Sequence, residues 1–133
     1  MQIRFAYIVF SIVLSALASS AAWALGVQTQ TRSPTACANN NTTGSTAWSN
    51  PANAYTSNDS YATAALAAGT TSNYLLCSNF GFSIPAGATI TGISVDIERK
   101  SSNNSTRDNL LYLVKNGTIQ TGSNGATNTN WPT

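Results

Sequence analysis

The feature that most limits how this chain can fold is a strand-like stretch at residues 90–100. Apolar Ile93, Val95 and Ile97 alternate there with polar residues. In an extended segment successive side chains point to opposite faces, so the three apolar residues share one face and the polar residues the other. One buried face and one solvated face is the pattern of an antiparallel sheet.

Turn signals divide the rest of the chain into further short strands. Asn116-Gly117 suits a type I′ turn, whose two central residues both need positive φ, so residues 114–115 and 118–119 are predicted to pair as a hairpin. Residues 73–82 and 109–115 carry the aromatic and aliphatic residues typical of strands. The pattern therefore predicts strands joined by tight turns.

These signals predict an all-β fold, an antiparallel β-sandwich or jelly-roll-like module over residues 47–133. Fewer strands can be counted than the roughly seven that a sandwich needs, so the module is predicted to be incomplete at its C-terminal end. The residues predicted to form the core are Trp48, Leu76, Phe80, Phe82, Ile90, Ile93, Val95, Ile97, Leu111 and Leu113.

The N-terminal residues have the three parts of a secretory signal peptide. Arg4 precedes an apolar run over residues 5–17, and Ala22-Trp23-Ala24 places small residues two apart, as at a cleavage site. We predict a leader at residues 1–24, a polar N-terminal segment at residues 25–46, and a mature protein that is secreted or held at the cell surface. The apolar run is shorter than the ~20 residues of a spanning helix, so no stable membrane span is expected after cleavage. The alternative is that the segment is retained.

Charge and composition narrow the function classes. Only 8% of the residues are charged, six basic and four acidic. No basic stripe is present to neutralise phosphates, which argues against nucleic acid as a partner. The chain has no His, the commonest general base, so we assign no catalytic residue and expect no cofactor.

Cys37 and Cys77 are the two cysteines of the chain. In an exported protein two thiols are expected to pair, so a Cys37–Cys77 disulfide is predicted. The alternative is a pair of reduced cysteines that pack as small apolar residues. Metal ligation is disfavoured, because the chain has no His and the two cysteines are far apart in sequence.

The four carboxylates are predicted to be structural or solvated. Asp96 and Glu98 lie two apart on the predicted strand, a spacing of interest for acid–base chemistry, but the alternation puts both on the solvent side and Arg99 follows directly. Asp59 lies in an Asn-Asp-Ser turn, which is a weak Ca²⁺ candidate; a turn without metal is favoured, and no metal site is assigned. Asp108 is predicted only to begin a strand.

Aromatic residues are the remaining candidates for binding. Trp48, Tyr55, Tyr61 and Trp131, with Tyr74, are candidates for a flat surface on which sugar rings stack. The alternative is that the tryptophans lie in the core and the tyrosines pack at loop edges.

Three motifs together resemble a family of β-sandwich modules found in uncharacterised secreted, surface and phage-tail-like bacterial proteins. They are Trp48-x-Asn50-Pro51-x-Asn53-Ala54, Asn58-Asp59-x-Tyr61-Ala62 and Phe80-Gly81-Phe82-x-Ile84-Pro85-x-Gly87-Ala88-x-Ile90-x-Gly92-Ile93. The resemblance covers residues 36–133. It implies further strands beyond those present here, so it also indicates C-terminal truncation, and it implies no activity and no functional residues.

Two functions are compatible with this sequence. The first is a non-enzymatic extracellular module with a structural or adhesive role, whose partners are neighbouring surface or appendage proteins. The second is a carbohydrate-binding module of a secreted or surface protein, with glycans as its ligands. Both would use a neutral surface rich in Asn, Ser and Thr for many weak polar contacts around a few aromatic anchors.

Overall fold

The computed structural model describes residues 1–13 and 27–133, with only the backbone described for residues 2–13. Within these ranges the chain forms eight β-strands and one short 3-10 helix, Pro51–Ala54. All of the strand pairs are antiparallel, which confirms the all-β prediction. In chain order the strands are β1 (Gln2–Val13), β2 (Val27–Arg32), β3 (Ala36–Asn40), β4 (Ala62–Thr63), β5 (Tyr74–Ser78), β6 (Thr89–Lys100), β7 (Val114–Lys115) and β8 (Thr118–Ile119).

Strand β1 is the centre of the largest sheet, sheet A. It pairs with β6 along its whole length, from Gln2 opposite Lys100 to Val13 opposite Thr89, while β2 and β4 pair with its other edge. Its sequence is rich in Ile, Val and aromatic residues, which favour strands. Residues 5–13 of the apolar run of the predicted leader therefore lie in a strand, while the rest of the run and the predicted cleavage site at Ala22-Trp23-Ala24 lie outside the described residues. Cleavage stays a prediction.

Strands β3 and β5 form a second sheet, sheet B, and the predicted disulfide joins them. Cys37 lies opposite Cys77 in the register, and the two are bonded. Within the polar N-terminal segment, the run Asn39-Asn40-Asn41-Thr42-Thr43-Gly44 has the composition of a loop and predicts one; this is wrong for Asn39, which lies in β3. Its side chain explains the difference: Asn39 Nδ2 donates to the Trp48 carbonyl at 2.7 Å, and Asn39 Oδ1 accepts from the Trp48 N–H at 2.6 Å. The amide thus pairs with the neighbouring backbone as a strand residue would.

Two predicted strands are shorter than expected. Strand β5 stops at Ser78 because Asn79 has a φ of 58°, a left-handed conformation that cannot continue a strand. The predicted strand over residues 109–115 is regular only in β7, because Leu111 N–H donates to the side chain of Asn124 instead of to a neighbouring strand. The β7–β8 hairpin is confirmed: Asn116 and Gly117 have φ values of 50° and 75°, both positive as a type I′ turn requires.

The core is small and centred on two tryptophans. Trp48 and Trp131, 5% and 2% exposed, pack together with buried alanines; the alanines are Ala54, Ala62 and Ala64. Of the predicted core residues, Val95 and Ile97 pack against this cluster. The prediction is wrong for Ile90, Ile93 and Leu113, each more than 40% exposed.

No described helix is long and apolar enough to span a bilayer.

Candidate binding groove

The structure places the two tryptophans of the predicted sugar-stacking set inside the protein. The Trp48 indole N–H donates to the Asn73 carbonyl at 2.8 Å, and Trp131 Nε1 donates to Asp108 Oδ1 at 3.0 Å. A buried ring has no face free for a sugar, so neither side chain can serve as an exposed platform.

The two tyrosines of that set are half-buried and lie on different elements. Tyr55 caps the 3-10 helix, where its backbone N–H donates to the Ala52 carbonyl at 3.1 Å. Tyr61 donates its hydroxyl to Glu98, and the Lys100 ammonium lies 5.8 Å from the centre of its ring. The Tyr61 ring is therefore already engaged by β6.

Asp108 is the centre of a polar cluster that also contains Arg99, Thr127 and Trp131. Its carboxylate accepts from Arg99 Nη1, from the backbone N–H of Thr127 at 3.2 Å, from Thr127 Oγ1 at 3.0 Å and from the Trp131 indole. The Arg99 guanidinium also lies 5.9 Å from the centre of the Trp131 ring. The Asp108 side chain is only 9% exposed. This cluster ties the end of β6 to the C-terminal residues.

The environment of Asp108 favours its charged form. Burial raises the pKa of this carboxyl, but the hydrogen bonds from Arg99 and Thr127, together with the Arg99 charge, outweigh burial and hold the pKa below its usual value. A carboxylate with these donors is a poor proton acceptor, so its role is to hold the C-terminal residues against the core.

We expect Asp108→Asn to lower the free energy of unfolding by about 2–3 kcal/mol at pH 7, because it removes a charged acceptor from a nearly buried ion pair. The lowered pKa adds stability at neutral pH that is lost as pH falls through and below the usual carboxyl value. The difference in the free energy of unfolding between wild type and Asp108→Asn should therefore become smaller toward pH 3. Urea midpoints at both pH values measure it. The matched control is Asp96→Asn on exposed β6, expected within about 0.5 kcal/mol of wild type; an equal loss in both variants would contradict the assignment.

The other three carboxylates lie on β6 and in the turn at Asp59. Asp96 is exposed, while Glu98 is half-buried and accepts from Tyr61, which corrects the prediction that both face solvent. Asp59 has a φ of 59° in a turn closed by Ser60 N–H donating to Asn58 Oδ1 at 3.1 Å. Among the described residues, no three Asp, Glu, His or Cys side chains lie close enough to hold a metal ion.

A cavity of about 710 Å³ opens between the two sheets and the stretch before β7, and we call it the groove. Its walls are mostly aliphatic and aromatic. Sheet B contributes Tyr74 and Leu76, β6 contributes Val95, and the stretch before β7 contributes Tyr112 and Leu113. Its volume and its mostly apolar lining are within the range of ligand-binding pockets in proteins.

Two tyrosines meet in the groove. The ring centres of Tyr74 and Tyr112 are 6.4 Å apart at 61°, an edge-to-face contact. Burial, and then the neighbouring Tyr112, raise the pKa of Tyr74, so its hydroxyl stays protonated.

One wall of the groove carries unpaired backbone groups. On one side of residues 110–113, Leu111 N–H donates to Asn124 and the Leu111 carbonyl accepts from Gly125 N–H at 2.9 Å. Alternate residues of an extended chain present their backbone groups to the opposite side. Leu110 and Tyr112 form that side, and their backbone groups have no hydrogen-bond partner within the described chain. We call these two residues the open edge.

The groove and the Asp108 cluster were not predicted from the sequence. The cluster joins residues far apart in the chain, so no local motif marks it. A usable signal for the open edge did exist: residues 110–114 are apolar at every position, Leu-Leu-Tyr-Leu-Val. A run without alternation is typical of a strand covered on both faces.

The chain matches no protein-family model, and comparisons with curated proteins and with solved structures found no significant similarity. The function must therefore be argued from the chemistry of the groove itself.

Proposed function

We propose that this chain is a non-enzymatic extracellular module with a structural or adhesive role, and that its groove binds neighbouring polypeptides at a cell or appendage surface. The observation that carries the proposal is the open edge at Leu110 and Tyr112 beside an apolar groove. Unpaired backbone donors and acceptors next to apolar pockets bind extended peptides by strand addition.

The neighbouring side chains support binding over catalysis. The most buried carboxylate in the groove wall, Asp108, accepts from three other residues and holds the fold together. The predicted export signal and the resemblance to secreted and surface β-sandwich modules agree with this role. We also interpret sheets A and B, which face each other across the groove, as the layers of an incomplete sandwich.

The test uses one variant in the groove and one outside it. Leu113 lines the groove and is 44% exposed, so Leu113→Asp should fold but repel an apolar partner. Thr118→Asp adds the same charge on the exposed β8, outside the groove. In the native host we expect Leu113→Asp to shift the protein from the surface fraction to the medium. The Thr118→Asp variant should be distributed between the two fractions as the wild type is. An unchanged surface fraction for both variants would overturn the proposal.

A carbohydrate-binding role is the second candidate, and the Tyr74–Tyr112 pair in the groove is the observation that favours it. A glycan array separates the two roles. Saturable binding to one glycan class that is lost in Tyr112→Ala and retained in Leu113→Asp would support carbohydrate binding over polypeptide binding.

A further inference from the structure

Sheet A is held together by one strand. Among the described strands, β6 pairs only with β1, and β2 and β4 reach β6 only through β1. Met1 extends the same connection: its amino group donates to the Ala64 carbonyl at 3.1 Å, and Ala64 N–H donates back to the Met1 carbonyl at 3.0 Å. The order of sheet A thus depends on the first thirteen residues.

The predicted leader, residues 1–24, contains all of β1. Removal of these residues would leave the twelve-residue strand β6 and the short strands β2 and β4 without hydrogen-bond partners in sheet A. Leaving a long row of backbone groups unpaired is costly, and such an edge is a template for another strand. If the leader is removed, sheet A keeps its order only when another strand takes the place of β1.

We propose that the position of β1 is a strand-acceptor slot, occupied in the processed protein by an extended segment of a different polypeptide. The slot sets the chemistry of this segment, because β1 itself shows what fits. The segment runs antiparallel to β6 over the length of β1, which is 12 residues. The apolar register pairs of β1 with β6 are Phe5 with Ile97, Ile8 with Val95, Phe10 with Ile93 and Ile12 with Ile90.

The register also places one pair of opposite charges. Arg4 of β1 lies in register with Glu98 of β6, so the incoming strand carries a basic residue near its N-terminal end and apolar residues after it. Opposite charges on directly opposed residues favour an antiparallel pair by up to about 1 kcal/mol, so a basic residue at this position supports the antiparallel direction without setting it alone. The inference rests on the proposed function, in that the partner is a polypeptide, but it concerns the backbone edge of β6 with which β1 pairs and not the groove.

The test uses the exported full-length gene product, with its N-terminus read by mass spectrometry. The probe is a fluorescent peptide carrying residues 2–13 between added lysines. The control peptide carries Phe5→Asp and Phe10→Asp. We expect saturable 1:1 binding of the probe, at least about tenfold weaker binding of the control, and slower hydrogen exchange of the β6 amides only with the probe.

A protein variant completes the test. Ile90 is 43% exposed and does not line the groove, so Ile90→Asp should leave the core and the groove intact and weaken probe binding about tenfold or more. The proposal is overturned by an exported chain that begins at Met1, by equal binding of the two peptides or no binding, or by an oligomer that pairs β6 with a second copy and takes up no peptide. Failure of the surface-fraction test would leave these results unaffected, so the two proposals fail separately.

Discussion

Replacing Gly44 by alanine is expected to lower the free energy of unfolding by about 3–5 kcal/mol. Gly44 has a φ of 68°, and a Cβ there would lie 2.0 Å from the Ser72 carbonyl oxygen and 2.7 Å from that of Thr71. Hydrogen bonds hold the backbone at Thr71 and Ser72 close to Gly44. Ser45 N–H donates to the Thr71 carbonyl at 2.9 Å, and Asn73 N–H donates to the Thr46 carbonyl at 2.8 Å. The loop must therefore break these bonds to admit one methyl group.

A matched control separates strain from collision. Gly69 has a φ of 75°, but a Cβ there meets no atom within 4 Å. Gly69→Ala should lower the free energy of unfolding by only about 1–2 kcal/mol, which is the cost of placing an alanine in the left-handed conformation. Urea unfolding of both variants gives the two losses. Similar losses would mean that the loop at Gly44 relaxes, and would contradict the collision argument.

Reduction of Cys37–Cys77 has the second large expected effect. The bond closes a loop with a sequence separation of 40 residues, so its loss should cost about 3–4 kcal/mol through the added freedom of the unfolded chain. The bond also joins β3 to β5, and both cysteines pack against the core cluster. We expect a clear fall in the thermal midpoint when a phosphine reductant is added.

The control for reduction is the double variant Cys37→Ser, Cys77→Ser. Its midpoint should lie near that of the reduced wild type and should not respond to the reductant. A wild-type midpoint unmoved by complete reduction, verified by thiol titration, would show that pairing of β3 and β5 is sufficient without the covalent link.

Local patterns predicted the parts of the fold that local physics decides. The Asn116-Gly117 turn needs only two residues that accept positive φ, and β6 needs only alternation, so both could be found without tertiary information. The disulfide could be predicted because the chain is predicted to be exported and contains two cysteines. Strand β3 was missed because Asn39 and Asn40 have low strand propensity, and the contact that places Asn39 in a strand comes from Trp48.

The candidate site was harder to predict because it depends on contacts between distant residues. Asp108 alone looks like an ordinary strand start, and only the fold brings Arg99 and Trp131 to its two carboxylate oxygens. The exposure of Ile93 and Leu113 was missed for a related reason. Both residues line the open groove, and an apolar residue there has the same sequence pattern as a buried core residue.

The long-range pairing of β1 has a consequence for the order of events during synthesis. Gln2 is made almost first, yet its register partner Lys100 emerges only when most of the chain has been translated. Pairings between segments so distant in sequence form slowly, because a long loop must close first. Throughout that interval β1 has not yet paired with β6, so the predicted leader would still be accessible to an export machinery and a signal peptidase. If the predicted leader is cleaved, the delay allows cleavage to precede the pairing of β6 in sheet A.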